Sequence, residues 1–139
     1  MEQATESGVI VMHEDLSHGF HGANARYELQ PGAGSLVQVQ LRGWLDEIAM
    51  RRFEKRLDDL GRRGAGRLDL DISGLRHVDY RLIPDWIDAL GRFEVRWGPV
   101  TVSGLTAYMN DLFCLSGCES RLRGWASAAA LEPSRELTS

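Results

Sequence analysis

A two-layer α/β domain, with helices gathered mainly on one face of its sheet, is the fold class this sequence predicts. Three observations predict it. From Leu36 onward, stretches with a period of two alternate with stretches of helical period. The strand-like stretches are apolar on one side only: Val37, Val39 and Leu41, then Leu68, Leu70 and Ile72, then Val100 and Val102. A sheet buried on both faces reads instead as continuous apolar runs, so Gln38, Gln40, Asp69, Asp71 and Thr101 are left for an uncovered face. Finally, 139 residues suffice for one domain with its own core and are too few for two of ordinary size.

The segment from residue 1 to 24 mixes acids, histidines and glycines without a period and reads as a flexible tail. His13, His18 and His21, with Glu14 and Asp15, are metal-ligand types. A glycine-flanked tail lacks the fixed geometry and supporting hydrogen bonds a metal site needs, so neither metal nor cofactor is expected. The domain proper is assigned to residues 25–131, followed by a second flexible tail, 132–139.

Order begins with "ARYEL", Ala25 to Leu29, a short strand, and "PGAGS" is the turn after it. "LVQVQLRG" is the next strand. Asp46 then offers an N-cap and Glu47 an acid for the first helical turn. Ala49, Phe53, Leu57 and Leu60 make one apolar stripe, with Arg51, Arg52, Lys55, Asp58 and Asp59 mainly off it. The interleaved acids make that arginine run a solvated face rather than a nucleic-acid patch. "GRRGAG" follows a helix and precedes a strand, the wrong order for a phosphate cradle and the right one for a C-cap turn.

"RLDLDISG" is a strand whose polar face carries Asp69 and Asp71. The sequence places no histidine or nucleophile beside them, which argues against catalysis. "RHVDYRLIPDW" turns the chain into a helix expected to begin near Ile83 or Pro84, because proline suits a first helical position and resists an earlier start. Trp86 or Ile87, Leu90 and Phe93 give that helix its apolar stripe. "GPVTVSG" is a further strand. "TAYMNDLFCLSG" is a helix presenting Met109, Leu112, Phe113 and Leu115 and stopped by Gly117. "RLRGWAS" is expected to be a last edge strand, and Ala126 to Leu131 to add a helical turn.

A net charge of −4 argues against a nucleic-acid partner, which usually wants a basic stripe. Cys114 and Cys118 have no second ligand pair at metal spacing and read as two thiols near a helix end. No apolar run reaches membrane-spanning length and no signal-peptide core is visible, so a cytoplasmic protein without membrane insertion is expected.

Three motifs in order resemble the STAS domain of bacterial anti-sigma factor antagonists. "LRGWLD", Leu41 to Asp46, is similar to that family's Gly-x-Leu-Asp between a strand and the first long helix. "LDLDISGLRHVD", Leu68 to Asp79, resembles its strand, Ser-Gly turn and apolar lead into an aspartate. "LFCLSGC", Leu112 to Cys118, resembles its closing helix. The likeness covers residues 36 to 127 and implies a STAS-like single domain with a mixed β-sheet.

In that family the aspartate precedes a serine that a partner kinase phosphorylates. Matched position by position, Asp79 is kept, Tyr80 stands at the phosphorylated serine, Arg81 at the next hydroxyl and Leu82 at the glycine. The resemblance therefore implies a non-enzymatic interaction module without the serine switch. The predicted partner-binding residues are Trp44, Asp46, Asp79, Tyr80, Arg81, Leu82 and Trp86, since aromatic residues and arginine dominate binding hot spots. The implied partner is a protein: an anti-sigma kinase, a stressosome-type scaffold, or the ATPase of a lipid-transport ABC system. A homodimer stays open.

Overall fold

The structure, a computed structural model, describes residues 2–4, 8–17, 22–30, 32 and 34–126. Among these residues six strands form a single sheet in chain order: β1 (Glu2–Ala4), β2 (Ile10–Asp15), β3 (Ala23–Leu29), β4 (Ser35–Leu45), β5 (Ala65–Val78) and β6 (Val100–Ser103). The first four run antiparallel to one another, whereas β4–β5 and β5–β6 are parallel. The parallel crossovers are made by α1 (Glu47–Arg62) and by a 3₁₀ turn (Tyr80–Leu82) leading into α2 (Ile83–Arg96). After β6 come α3 (Ala107–Leu115) and α4 (Glu119–Trp125).

The mixed sheet and the one-sided apolar pattern agree with the expectation. Val37, Val39, Leu41, Leu68, Leu70 and Ile72 are buried under the helices, while Gln38 is exposed and Gln40, Asp69 and Asp71 are partly so on the other face. The α1 helix starts where its cap is: the Asp46 carboxylate accepts a hydrogen bond from the Ala49 N–H at 2.8 Å. It buries Ala49, Met50, Phe53, Leu57 and Leu60. Its close approach to the end of α2 requires Gly61, because a Cβ there would stand 2.1 Å from the indole of Trp97. The α2 stripe is Ile83, Trp86, Ile87, Leu90 and Phe93, all buried.

Two expectations are corrected. The first 24 residues do not form a tail throughout: β1 and β2 belong to the sheet, and the expected domain start at residue 25 falls inside β3. Met12 and Leu16 are buried, and the Leu16 N–H donates to the Ala23 carbonyl at 2.9 Å. The acids that hid the strand are used structurally. The buried Tyr27 hydroxyl donates to Glu14 at 2.9 Å, and Arg56 of α1 donates to both oxygens of the same carboxylate at 3.3 and 3.2 Å. His13 lies exposed on β2; His18 and His21 lie outside the described residues.

The second correction is "RLRGWAS", which is α4 and not a strand. Leu122 and Trp125, three residues apart, are both buried, and Glu119 pairs with Arg123 one turn on. Among its described residues only Ala126 pairs with the sheet, through a parallel bridge to Val102. The helical turn expected beyond it and the tail 132–139 lie outside the described residues.

Candidate functional site

The C-terminal ends of β4 and β5 carry most of the residues predicted to meet a partner. On β4, Gly43 has φ +91°, and a Cβ there would lie 2.0 Å from the Gly22 carbonyl oxygen. Only glycine fits, and the tight approach lets the Trp44 N–H donate to that same oxygen at 2.8 Å. On β5, three register shifts opposite β4, the last between Gly43 and Trp44, insert extra residues and bring His77 opposite Trp44. Their ring centroids are 4.7 Å apart, with the planes tilted by 46°. His77 Nδ1 and the Tyr108 hydroxyl, from the first turn of α3, share a hydrogen bond at 2.5 Å. Trp44, His77 and Tyr108 thus form a continuous aromatic strip.

The corner after β5 is held by Asp79. Its carboxylate accepts the Arg81 N–H at 3.0 Å, which caps the 3₁₀ turn, and Arg81 Nε and Nη2 at 3.1 and 2.8 Å. The guanidinium and the backbone donor hold the Asp79 carboxyl below the usual carboxylate range. The pair is close to neutral as a unit. Tyr80 projects from the turn, 53% exposed, and Trp44, Tyr108 and Ile48 in the first turn of α1 are each exposed by more than a third.

Of the predicted residues, Trp44, Tyr80 and Arg81 therefore lie at the surface. Asp46 and Asp79 lie there too, with their carboxylates engaged in capping. Trp86 does not belong to the site: it is 1% exposed and packs on Phe113 with ring centroids 5.4 Å apart. It falls on the inward stripe of α2, and its indole N–H has no protein partner. Leu82, 9% exposed, is likewise core. Sequence reasoning missed Tyr108, whose contact with His77 spans 31 residues. His77 had a signal, since it immediately precedes the inward-facing Val78 and so points to the other face.

The two aspartates of the open face are also engaged. Thr101 donates its hydroxyl to Asp69, and Asp71 accepts the Ser73 N–H at 2.9 Å. Among the described residues no three His, Cys, Asp or Glu side chains converge as a metal site. No described helix is long and apolar enough to cross a membrane. What the strand ends offer chemically is recognition: ring faces, a hydroxyl and a guanidinium already paired.

No protein-family model and no curated protein sequence matches this chain. Solved structures do. The anti-sigma factor antagonist SpoIIAA in its unphosphorylated form superposes with a TM-score of 0.58 at 16% identity, covering 81% of this chain and 95% of that one. The Bacillus cell fate determinant SpoIIAA in the phosphorylated form gives 0.55 at 17% identity, covering 81% and 99%. An anti-sigma factor antagonist from Mycobacterium paratuberculosis gives 0.52 at 12% identity, covering 96% and 99%. The chain has a STAS-like α/β fold, the fold of SpoIIAA, reached with few shared residues.

Proposed function

We propose that this chain is a non-enzymatic protein-interaction module of the anti-sigma factor antagonist type, acting in the cytoplasm and lacking a serine phospho-switch. The observation that carries the reading is the strip of Trp44, His77 and Tyr108, exposed at Trp44 and Tyr108 and half-buried at His77, beside Tyr80 at the end of the sheet where the chain turns from β5 into α2. Tryptophan, tyrosine and arginine are enriched among the few residues that carry most binding energy at protein interfaces. A phosphate added at such a surface brings about −1.5 to −2 charge and disrupts by repulsion and desolvation. Here the matching position is Tyr80, and the adjacent aspartate is already closed by Arg81. Contact, rather than charge, sets the strength of docking.

The test is affinity capture from the native cell, with wild type compared against a Trp44→Ala/Tyr80→Ala double variant. An anti-sigma kinase or sigma-regulating scaffold retained by wild type and lost by the variant supports the reading. A transporter ATPase captured in the same way replaces it with the accessory-subunit role. Incubation with the captured kinase and ATP should leave the intact mass unchanged. A stoichiometric phosphate on Ser73 or Tyr80 would overturn the missing switch.

A further inference from the structure

Away from the aromatic strip, a groove of about 730 Å³ lies open between α2 and α4. We propose that this groove is a second docking surface, which takes an amphipathic helix of a partner protein through that helix's small apolar face and its flanking glutamates.

Its floor is kept low by glycines that the backbone does not require. Gly91 and Gly124 both sit inside helices and neither has a positive φ. A Cβ on Gly124 would meet nothing within 4 Å, and one on Gly91 only the tip of the Arg121 side chain at 2.9 Å. Glycine is the poorest helix former after proline, so an alanine at Gly124 would suit the helix better. What glycine provides is room for another backbone to approach closely. Beside it, Val95 is 87% exposed and lies off the inward stripe of α2, so its exposure is not an edge of the core.

Charge selects the occupant. Three guanidiniums and two carboxylates line the groove, one net positive charge on a chain of −4. Both carboxylates are engaged at short range, Asp88 by Arg121 at 2.8 Å and Glu94 by the Trp125 indole N–H at 3.2 Å. Arg92 and Arg96 pair at longer range with Glu54 and Asp58 of α1, at 3.7 and 3.9 Å, Arg96 also lies over the Trp97 ring at 5.1 Å, and both remain more than half exposed. These two arginines are four residues apart on α2, so they stand one above the other with the spacing of two glutamates at i and i+4 on a facing helix.

The experiment titrates the isotope-labelled full chain with a helical peptide of about 18 residues, Ala and Leu on one face and Glu pairs four apart beside it. A matched peptide carries Lys in place of Glu. The Glu peptide should shift the Gly91, Val95 and Gly124 amides and the Trp125 indole, weaken with salt, and bind roughly tenfold tighter than the Lys peptide. Gly124→Gln, whose Cβ meets nothing within 4 Å and whose side chain would occupy the groove, should weaken it by roughly tenfold with Tm unchanged or raised. Trp44→Ala should bind it like wild type, which keeps this surface distinguishable from the aromatic strip. Absence of those shifts, equal binding of the Lys peptide, or full affinity in Gly124→Gln overturns the proposal. So does a wild-type dimer that Gly124→Gln converts to monomer, which would assign the groove to a second copy.

Discussion

Trp44 and His77 face each other across the parallel β4–β5 pair, with ring centroids 4.7 Å apart, and the Tyr108 hydroxyl extends the strip by its hydrogen bond to His77. If this strip is the docking site, Trp44→Ala should weaken partner binding by about 2 kcal/mol or more, roughly thirtyfold, as truncation of an aromatic hot spot does. Tyr108→Phe keeps the ring and loses the hydrogen bond, so its effect should be smaller, about 1 kcal/mol. Calorimetric titration with the captured partner reads both. Melting temperature should move little in either variant, because Trp44 and Tyr108 are 39% and 48% exposed.

Gly43 sets where Trp44 stands. Gly43→Ala meets both a positive φ and a Cβ position 2.0 Å from the Gly22 carbonyl oxygen. The expected cost is about 3 kcal/mol, from αL strain together with displacement of the backbone. Chemical denaturation should show a lower midpoint at an unchanged slope. Gly8 also has a positive φ, but a Cβ there has nothing within 4 Å, so Gly8→Ala should cost about 1–2 kcal/mol, from conformation alone.

The Asp79 carboxyl titrates lower in the folded chain than in the unfolded one, chiefly because Arg81 hydrogen-bonds its ionised form. A lowered folded value means that the stabilisation is present above the unfolded carboxylate value of about 3.9 and is lost as pH falls through the folded one. Asp79→Asn should therefore lose less stability than wild type as pH falls from about 5 through the carboxylate range. The difference should be small, since the pair is solvent-screened. Thermal melts of both proteins across that range are the check.

The Glu14 clasp makes the N-terminal strands part of the fold. Deleting residues 1–16 removes the buried Met12 and Leu16 and uncovers the buried Tyr27, so the melting temperature should fall steeply. Removal of a flexible tail would leave it unchanged. Arg56→Ala keeps the chain intact but takes two donors from Glu14. A loss of about 1–2 kcal/mol is expected, read by denaturant unfolding.

The run from β4 to α3 was legible because each element there states its own period. The alternation around Val39 and Leu70, the Asp46 cap and the Pro84 start all match the structure. β2 was not legible, because its inward acid is satisfied only by Tyr27 and Arg56, which lie 13 and 42 residues away. α4 misled because Arg-Leu-Arg alternates over three residues, and only the Leu122–Trp125 spacing shows the helix. Trp86 and Trp44 are indistinguishable by type. Which one is core follows from the α2 stripe, and which one is surface from its place on the polar face of β4. Tyr108 could be joined to the site only by the fold.

The margins of the sheet carry a consequence of their own. Among the described residues one outer strand, β1, has three residues, and the other, β6, has four and takes a bridge from Ala126. Such brief borders give an incoming strand little main chain to pair with, which is how natural sheets avoid joining edge to edge. Selectivity for a partner would then rest on side chains, whose identity one substitution can change, more than on the peptide backbone that every protein shares.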